Sequence, residues 1–154
     1  MNVYKINFEI PSKLEPSNVK SLTTVIGLYF IFLEKTEIAY PFGKSRLIYI
    51  GMSEKKTNTI GKRLLEHYEG RSGNIGLKNY RKVEDLYFTY FNFEMFKGIW
   101  NFKVLDLESY FIFDFIDKYG VYPICNNKTD YEVLNKNIDF KLEIDWKYFE
   151  KREE

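Results

Sequence analysis

The sequence predicts an α/β chain of the α+β kind: a small central antiparallel three-stranded sheet flanked by helices, with N- and C-terminal extensions. Three observations carry that prediction. Residues 25–33 form an unbroken apolar run rich in β-branched and aromatic side chains, as a strand buried on both faces requires. Residues 47–51 form a second such run, and residues 34–46 between them hold Pro41 and Gly43, so the two runs read as arms of a long hairpin. Residues 58–69 and 101–118 instead carry apolar side chains at helical spacing.

The elements follow in order. Val3, Ile6, Phe8 and Ile10 alternate loosely over residues 3–10, a weak strand ended by Pro11 and Pro16. After the hairpin, Asn58 and Thr59 are set to cap a helix that runs to about Glu69, with Ile60, Leu64 and Tyr68 on one side and Gly70 as its stop. Residues 73–82 are polar and basic, with room for one short helix, and residues 85–93 alternate enough aromatic side chains for a third strand. The longest helical pattern, 101–118, is closed by Gly120 and Pro123. From Asp130 the tail is mixed, and its charged end is expected to fray. No repeat, low-complexity tract or linker interrupts the 154 residues, so one domain is expected, with a core at about 25–127 and extensions at 1–24 and 128–154.

Composition narrows the chemistry. Aromatic residues make up 19% of the chain, so a single tyrosine carries little information here. Cys125 is the only cysteine, which rules out an internal disulfide and suits a reducing cytosol. With one cysteine and one histidine, a zinc finger or an all-His/Cys metal site is excluded, and a metal would have to be held mainly by oxygen, as magnesium or manganese is. No opening stretch is organised as a signal peptide, and the apolar runs at 25–33 and 110–116 are too short to span a membrane. The net charge of +1 argues against indiscriminate coating of nucleic acid. Its distribution is uneven: residues 35–82 hold eleven basic and four acidic side chains, whereas residues 83–154 hold nine basic and fifteen acidic ones. Such a swing fits a basic face meeting an anion on an otherwise acidic body.

Three features then bear on function. Tyr29 and Tyr49 lie on the two hairpin strands. Alternation puts Tyr29 on the face of Gly27 and Ile31, and Tyr49 on the face of Leu47 and Gly51. Glycine inside a strand often marks a close approach of backbone or ligand. Arg63 and His67 stand four apart and leave one face of their helix. Glu108 falls in an apolar row with Leu105, Ile112 and Phe115, where a carboxylate is costly without a partner: an arginine is the plain explanation, a metal ion the functional one.

The stretches GLYFIF (27–32), LIYIGMS (47–53), IGKRLLEHY (60–68), DLESYFI (106–112) and YPICN (122–126), taken in this order, resemble the GIY-YIG nuclease family, whose two name motifs lie on adjacent strands. The resemblance covers residues 25–126. It departs at Leu28, where isoleucine is usual, and at Met52, where small or basic residues are more frequent. The hairpin is also longer than in the smallest members. The resemblance implies a metal-dependent endonuclease that hydrolyses phosphodiester bonds. Glu108 would hold a single Mg²⁺ or Mn²⁺, and Arg63 would grip a phosphate oxygen. Tyr29 would act as general base with His67 beside it, and Tyr49 would orient water or phosphate. Gly27, Gly51 and Asn126 would support the site, while Lys55, Lys56, Lys62 and Arg71 would face the nucleic-acid backbone. DNA is the implied substrate, although nothing in the residues separates it from RNA. One such site cuts one strand, so double-strand cleavage calls for a homodimer or two successive events. The competing expectation is a module of the same fold that binds nucleic acid or protein without cutting.

Overall fold

Seven consecutive buried residues make β3 (Gly27–Leu33) the centre of the sheet. A computed structural model of the chain describes residues 1–127 and 138–151. In chain order, β1 (Asn2–Ile6), β2 (Ser12–Lys13) and α1 (Pro16–Val19) precede β3. The short hairpin strands β4 (Ile38–Tyr40) and β5 (Gly43–Ser45) and then β6 (Leu47–Ser53) follow it. Next come α2 (Ile60–Glu69), α3 (Ile75–Arg81), β7 (Leu86–Asn92), α4 (Val104–Tyr119) and β8 (Phe140–Ile144). The chain is therefore α+β, as expected. Among the described residues the main sheet is antiparallel in the order β2-β7-β3-β6, with four strands rather than the expected three. The added strand is a two-residue pairing of Ser12 and Lys13 with Phe88 and Tyr87, too short to show a period in the sequence.

Two apolar layers cover the sheet. On one face Leu28, Phe30, Leu47, Ile50 and Phe91 pack against Leu107, Phe111, Ile112 and Phe115 of α4. On the other, Tyr29, Ile31 and Ile48 pack against Ile60 and Leu64 of α2 and Leu77 of α3. Strict alternation fails in β6. Tyr49 pairs with Ile31, but Leu47 pairs with Phe32, so Ile48 is an extra residue. Leu47 thus joins the α4 layer, and Tyr49 shares its face with Gly51 but not with Leu47, correcting the expectation from alternation. Leu105 needs a similar correction. It is 37% exposed, and the buried row of α4 runs through Val104, Leu107, Glu108, Phe111, Ile112 and Phe115.

The helices begin and end for local reasons. The Thr59 side chain accepts from the Lys62 N–H at the start of α2, and Gly70, at φ 74°, ends it in the left-handed region. Asn74 caps α3 by accepting from the Leu77 N–H, and Gly120, at φ 94°, closes α4.

The two extensions meet each other. β1 and β8 pair in parallel from Asn2↔Phe140 to Ile6↔Ile144. Leu142, Trp146 and Phe149 enter the core under α4, and the Arg46 N–H donates to the Phe149 carbonyl over 2.8 Å. The Arg46 guanidinium also donates to the carbonyls of Glu34 and Tyr148, tying the hairpin root to this segment. Residues 138–151 are therefore part of the packed body. The rest of the tail, 128–137 and 152–154, lies outside the described residues, and with it most of the charged end expected to fray. Among the described residues no helix is long and apolar enough to cross a membrane.

Candidate active site

The register of β3 and β6 sets Tyr29 opposite Gly51 and Ile31 opposite Tyr49, so the two phenols project diagonally from one face. Gly51 is what makes room. A Cβ there would lie 2.3 Å from Tyr29 Cζ, so any side chain would collide with the ring. Gly27 serves its strand differently. At φ 149°, with a Cβ position only 2.0 Å from the Phe91 carbonyl oxygen, it lets β3 approach β7 where no L side chain fits.

α2 lies over this face and contributes Arg63 and His67. The Tyr29 and Tyr49 rings are 6.0 Å apart, and the His67 ring lies 5.7 Å from Tyr29 and 5.1 Å from Tyr49. The Tyr29 hydroxyl is 2.9 Å from His67 Nε2, and His67 Nδ1 is 2.7 Å from Ser72 Oγ. Tyr29 is fully buried, whereas Tyr49 and Arg63 are partly exposed. Arg63 also pairs with Glu66 over 3.9 Å.

Glu108 comes from the other layer. α4 packs chiefly against the edge strand β6, and Glu108, 7% exposed, acts electrostatically on both phenols. Burial pushes Tyr29 well above the usual phenol range, with Tyr49 adding to the rise, Arg63 opposing it and Glu108 adding slightly. Tyr49 is also raised, first by burial and then by Glu108, against Arg63. Burial and then the charge of Arg63 bring His67 down to about 3, so the imidazole is neutral at neutral pH. Both phenols therefore keep their protons unless further positive charge arrives.

Asn126 anchors the strand that carries Tyr49 and Gly51. Its Oδ1 accepts from the Ile50 N–H over 3.0 Å, and its Nδ2 donates to the Ile50 carbonyl over 2.9 Å. Both backbone groups of Ile50 on the outer edge of β6 are thus paired by one amide. Asn126 therefore acts on the backbone of the strand that carries Tyr49.

The five central residues of the sequence reading, Tyr29, Tyr49, Arg63, His67 and Glu108, come together from β3, β6, α2 and α4. The basic residues fit less evenly. Lys55 and Lys56 are exposed on the turn between β6 and α2, and Lys62 is exposed on the first turn of α2, with Nζ bonded to the Thr57 carbonyl. Arg71 is engaged by Glu69 over 3.1 Å. Sequence reasoning missed three neighbours of the site. Ser72 reaches His67 across a loop, outside any helical period. Asn74, whose Nδ2 donates to the Cys125 carbonyl over 2.9 Å, stood in a segment read only as polar and basic. Glu66 could have been found, because it lies three residues after Arg63 on one helix.

The donor set tests the fit of a metal. Among the described residues no group of three or more His, Cys, Asp or Glu side chains converges. A single buried carboxylate, with partly exposed Tyr49 and Arg63 on the same cluster, suits a hard ion that takes most of its oxygens from water and a phosphate ligand, as magnesium does. It does not suit an ion caged by protein alone. No family model, curated protein or solved structure matches this chain.

Proposed function

We propose that the chain is a metal-dependent endonuclease of the GIY-YIG type, hydrolysing phosphodiester bonds in DNA. The observation that carries this reading is the convergence of two phenols, a guanidinium, a neutral imidazole and a buried carboxylate from four separate elements. A hydrophobic core has no need for that combination. Each of these groups costs free energy to bury, and they are gathered at one partly open point.

The roles follow from exposure and charge. Arg63, partly exposed, binds a non-bridging phosphate oxygen through its guanidinium fork, at the expense of its contact with Glu66. Tyr49 is the phenol that meets solvent, so it orients the attacking water and takes its proton. Tyr29, fully buried behind Gly51, cannot touch that water. It holds the wall of the site through His67 instead, which reverses the division of labour expected from the sequence. Glu108 would hold Mg²⁺ or Mn²⁺, which would polarise the phosphate and stabilise the leaving oxygen. The protein alone keeps Tyr49 protonated, so added positive charge beside it would favour the phenolate that accepts the proton.

Lys55, Lys56 and Lys62 lie around the start of α2, where they would contact the nucleic-acid backbone, and the exposed Lys78, Arg81 and Lys82 extend the same basic segment. The reading is tested by incubating the purified chain with duplex, branched and single-stranded DNA in Mg²⁺ or Mn²⁺. Arg63→Ala is expected to lower cleavage by at least about a hundredfold. Failure of the wild-type chain to cut any of the three would sink the proposal.

A further inference from the structure

Ser72 lies outside every motif, on the loop between α2 and α3, yet it touches the imidazole at the centre of the site. We propose that Ser72 is a positioning residue that sets the tautomer of His67: it accepts the Nδ1–H and so leaves Nε2 free to accept the Tyr29 hydroxyl. The part this plays in catalysis rests on the nuclease reading; the tautomer itself does not.

Two proton arrangements fit the chain Tyr29–His67–Ser72. In the first, Tyr29 O–H donates to Nε2 over 2.9 Å and Nδ1–H donates to Ser72 Oγ over 2.7 Å. The Asn74 N–H also points to Ser72 Oγ, at 3.4 Å, so the two acceptor sites of that oxygen face two donors. In the second, Ser72 donates to Nδ1, and Nε2–H donates to Tyr29. The Tyr29 proton is then turned away from the ring towards the Tyr49 hydroxyl, a weaker acceptor than an imidazole nitrogen, because the neighbouring Arg63 offers donors only. The first arrangement gives the imidazole nitrogen, the best acceptor of the three groups, to the phenol, the more acidic of the two hydroxyls, and leaves the proton of the partly exposed Ser72 to solvent. A histidine tautomer is set by the bond its other nitrogen makes, and Ser72 is that bond here.

The loop is built to hold Ser72 still. Gly70 and Gly73, both with positive φ, bracket Arg71 and Ser72, which gives the chain the tight path back to the imidazole. At the end of the loop Asn74 is fixed by its side-chain bond to the Cys125 carbonyl, one residue before Asn126 grips β6. The serine is thus anchored to the same wall that carries Tyr49. With the tautomer fixed, Tyr29 keeps its proton at Nε2 and cannot swing towards the substrate phosphate, which leaves Arg63 available to the ligand.

His67 is the only histidine in the chain, so a long-range ¹H–¹⁵N spectrum of the intact protein reports one imidazole. The wild type is expected to show a protonated Nδ1 and a bare Nε2. Ser72→Ala is expected to move the proton towards Nε2, and Ser72→Thr, which keeps the hydroxyl, to restore it. In cleavage assays Ser72→Ala is expected to lower kcat about ten- to a hundredfold with KM unchanged, as loss of an imidazole-orienting partner does, and Ser72→Thr to recover it. An unchanged tautomer in a folded Ser72→Ala variant, or a wild type protonated at Nε2, would overturn the proposal whatever the activity. A tautomer that moves as expected in a protein that cuts no DNA would uphold the positioning role and remove the nuclease reading.

Discussion

A methyl group on Gly51 would fall 2.3 Å from Cζ and 2.5 Å from the hydroxyl of Tyr29, so Gly51→Ala forces the ring away from His67. The expected cost is about 1–3 kcal/mol of stability, as for other overpacked sites, measured by denaturant unfolding. A variant as stable as the wild type would mean that the ring has somewhere else to go. His67 makes a second prediction at this scale. Its pKa is lowered from 6.5 to about 3 by burial and then by Arg63, so between these values the unfolded chain binds a proton that the folded chain does not. Stability should therefore be full above about pH 6.5 and fall as pH drops towards 3, by about 1.4 kcal/mol per unit for this one group. His67→Gln should flatten that part of the profile, and an unaltered slope would show that other groups cause it. The residue types and order of the site were legible, because motif spacing reports them. Which tyrosine meets water was not, since exposure depends on how β6 and α2 close over Tyr29.

β6 is the element on which the site depends, because it carries Tyr49 and Gly51 along an outer edge of the sheet. Edge strands lack a pairing partner, and here Asn126 supplies both halves of one at Ile50. Asn126→Ala is expected to destabilise the chain by about 1–3 kcal/mol, since two backbone groups lose their partner. Hydrogen exchange should quicken first at Ile50; equal exchange at Ile50 in variant and wild type would contradict the anchoring role. The helices were readable from the sequence because Thr59, Gly70 and Gly120 mark ends by local chemistry, and a capping residue acts on its own turn. The facing of Tyr49 was readable only in part. The extra residue at Ile48 depends on pairing with β3, and no alternation within β6 records it. Leu105 was misassigned to the buried row for a related reason: its neighbours Val104 and Leu107 are apolar too, and only packing against the sheet decides which of them turns inward.

For the whole molecule, the sheet is a partition. α2 supplies Arg63 and His67 on one face and the loop after it supplies Ser72, while α4 packs on the other face and carries Glu108, which acts electrostatically on both phenols. The extensions brace the α4 side, with β1 pairing with β8 and Trp146 donating to Asp114 over 2.7 Å. Trp146→Ala, which empties a core position far from the phenols, is expected to cost about 3–5 kcal/mol of stability, seen as a lower unfolding midpoint. A midpoint near that of the wild type would show that the C-terminal segment is dispensable. This contribution was invisible in the sequence, because a parallel pairing of the first and last strands leaves no local mark. The central claim is that Glu108 serves chemistry and not packing. The measurement that tests it most directly is DNA cleavage in Mg²⁺ or Mn²⁺ by wild type and Glu108→Gln, with DNA affinity and the unfolding midpoint measured on the same samples. The account predicts cleavage by the wild type and its loss in Glu108→Gln by at least about a hundredfold, with affinity and midpoint little changed. Cleavage that survives the substitution, or a variant that loses its fold along with its activity, would contradict it.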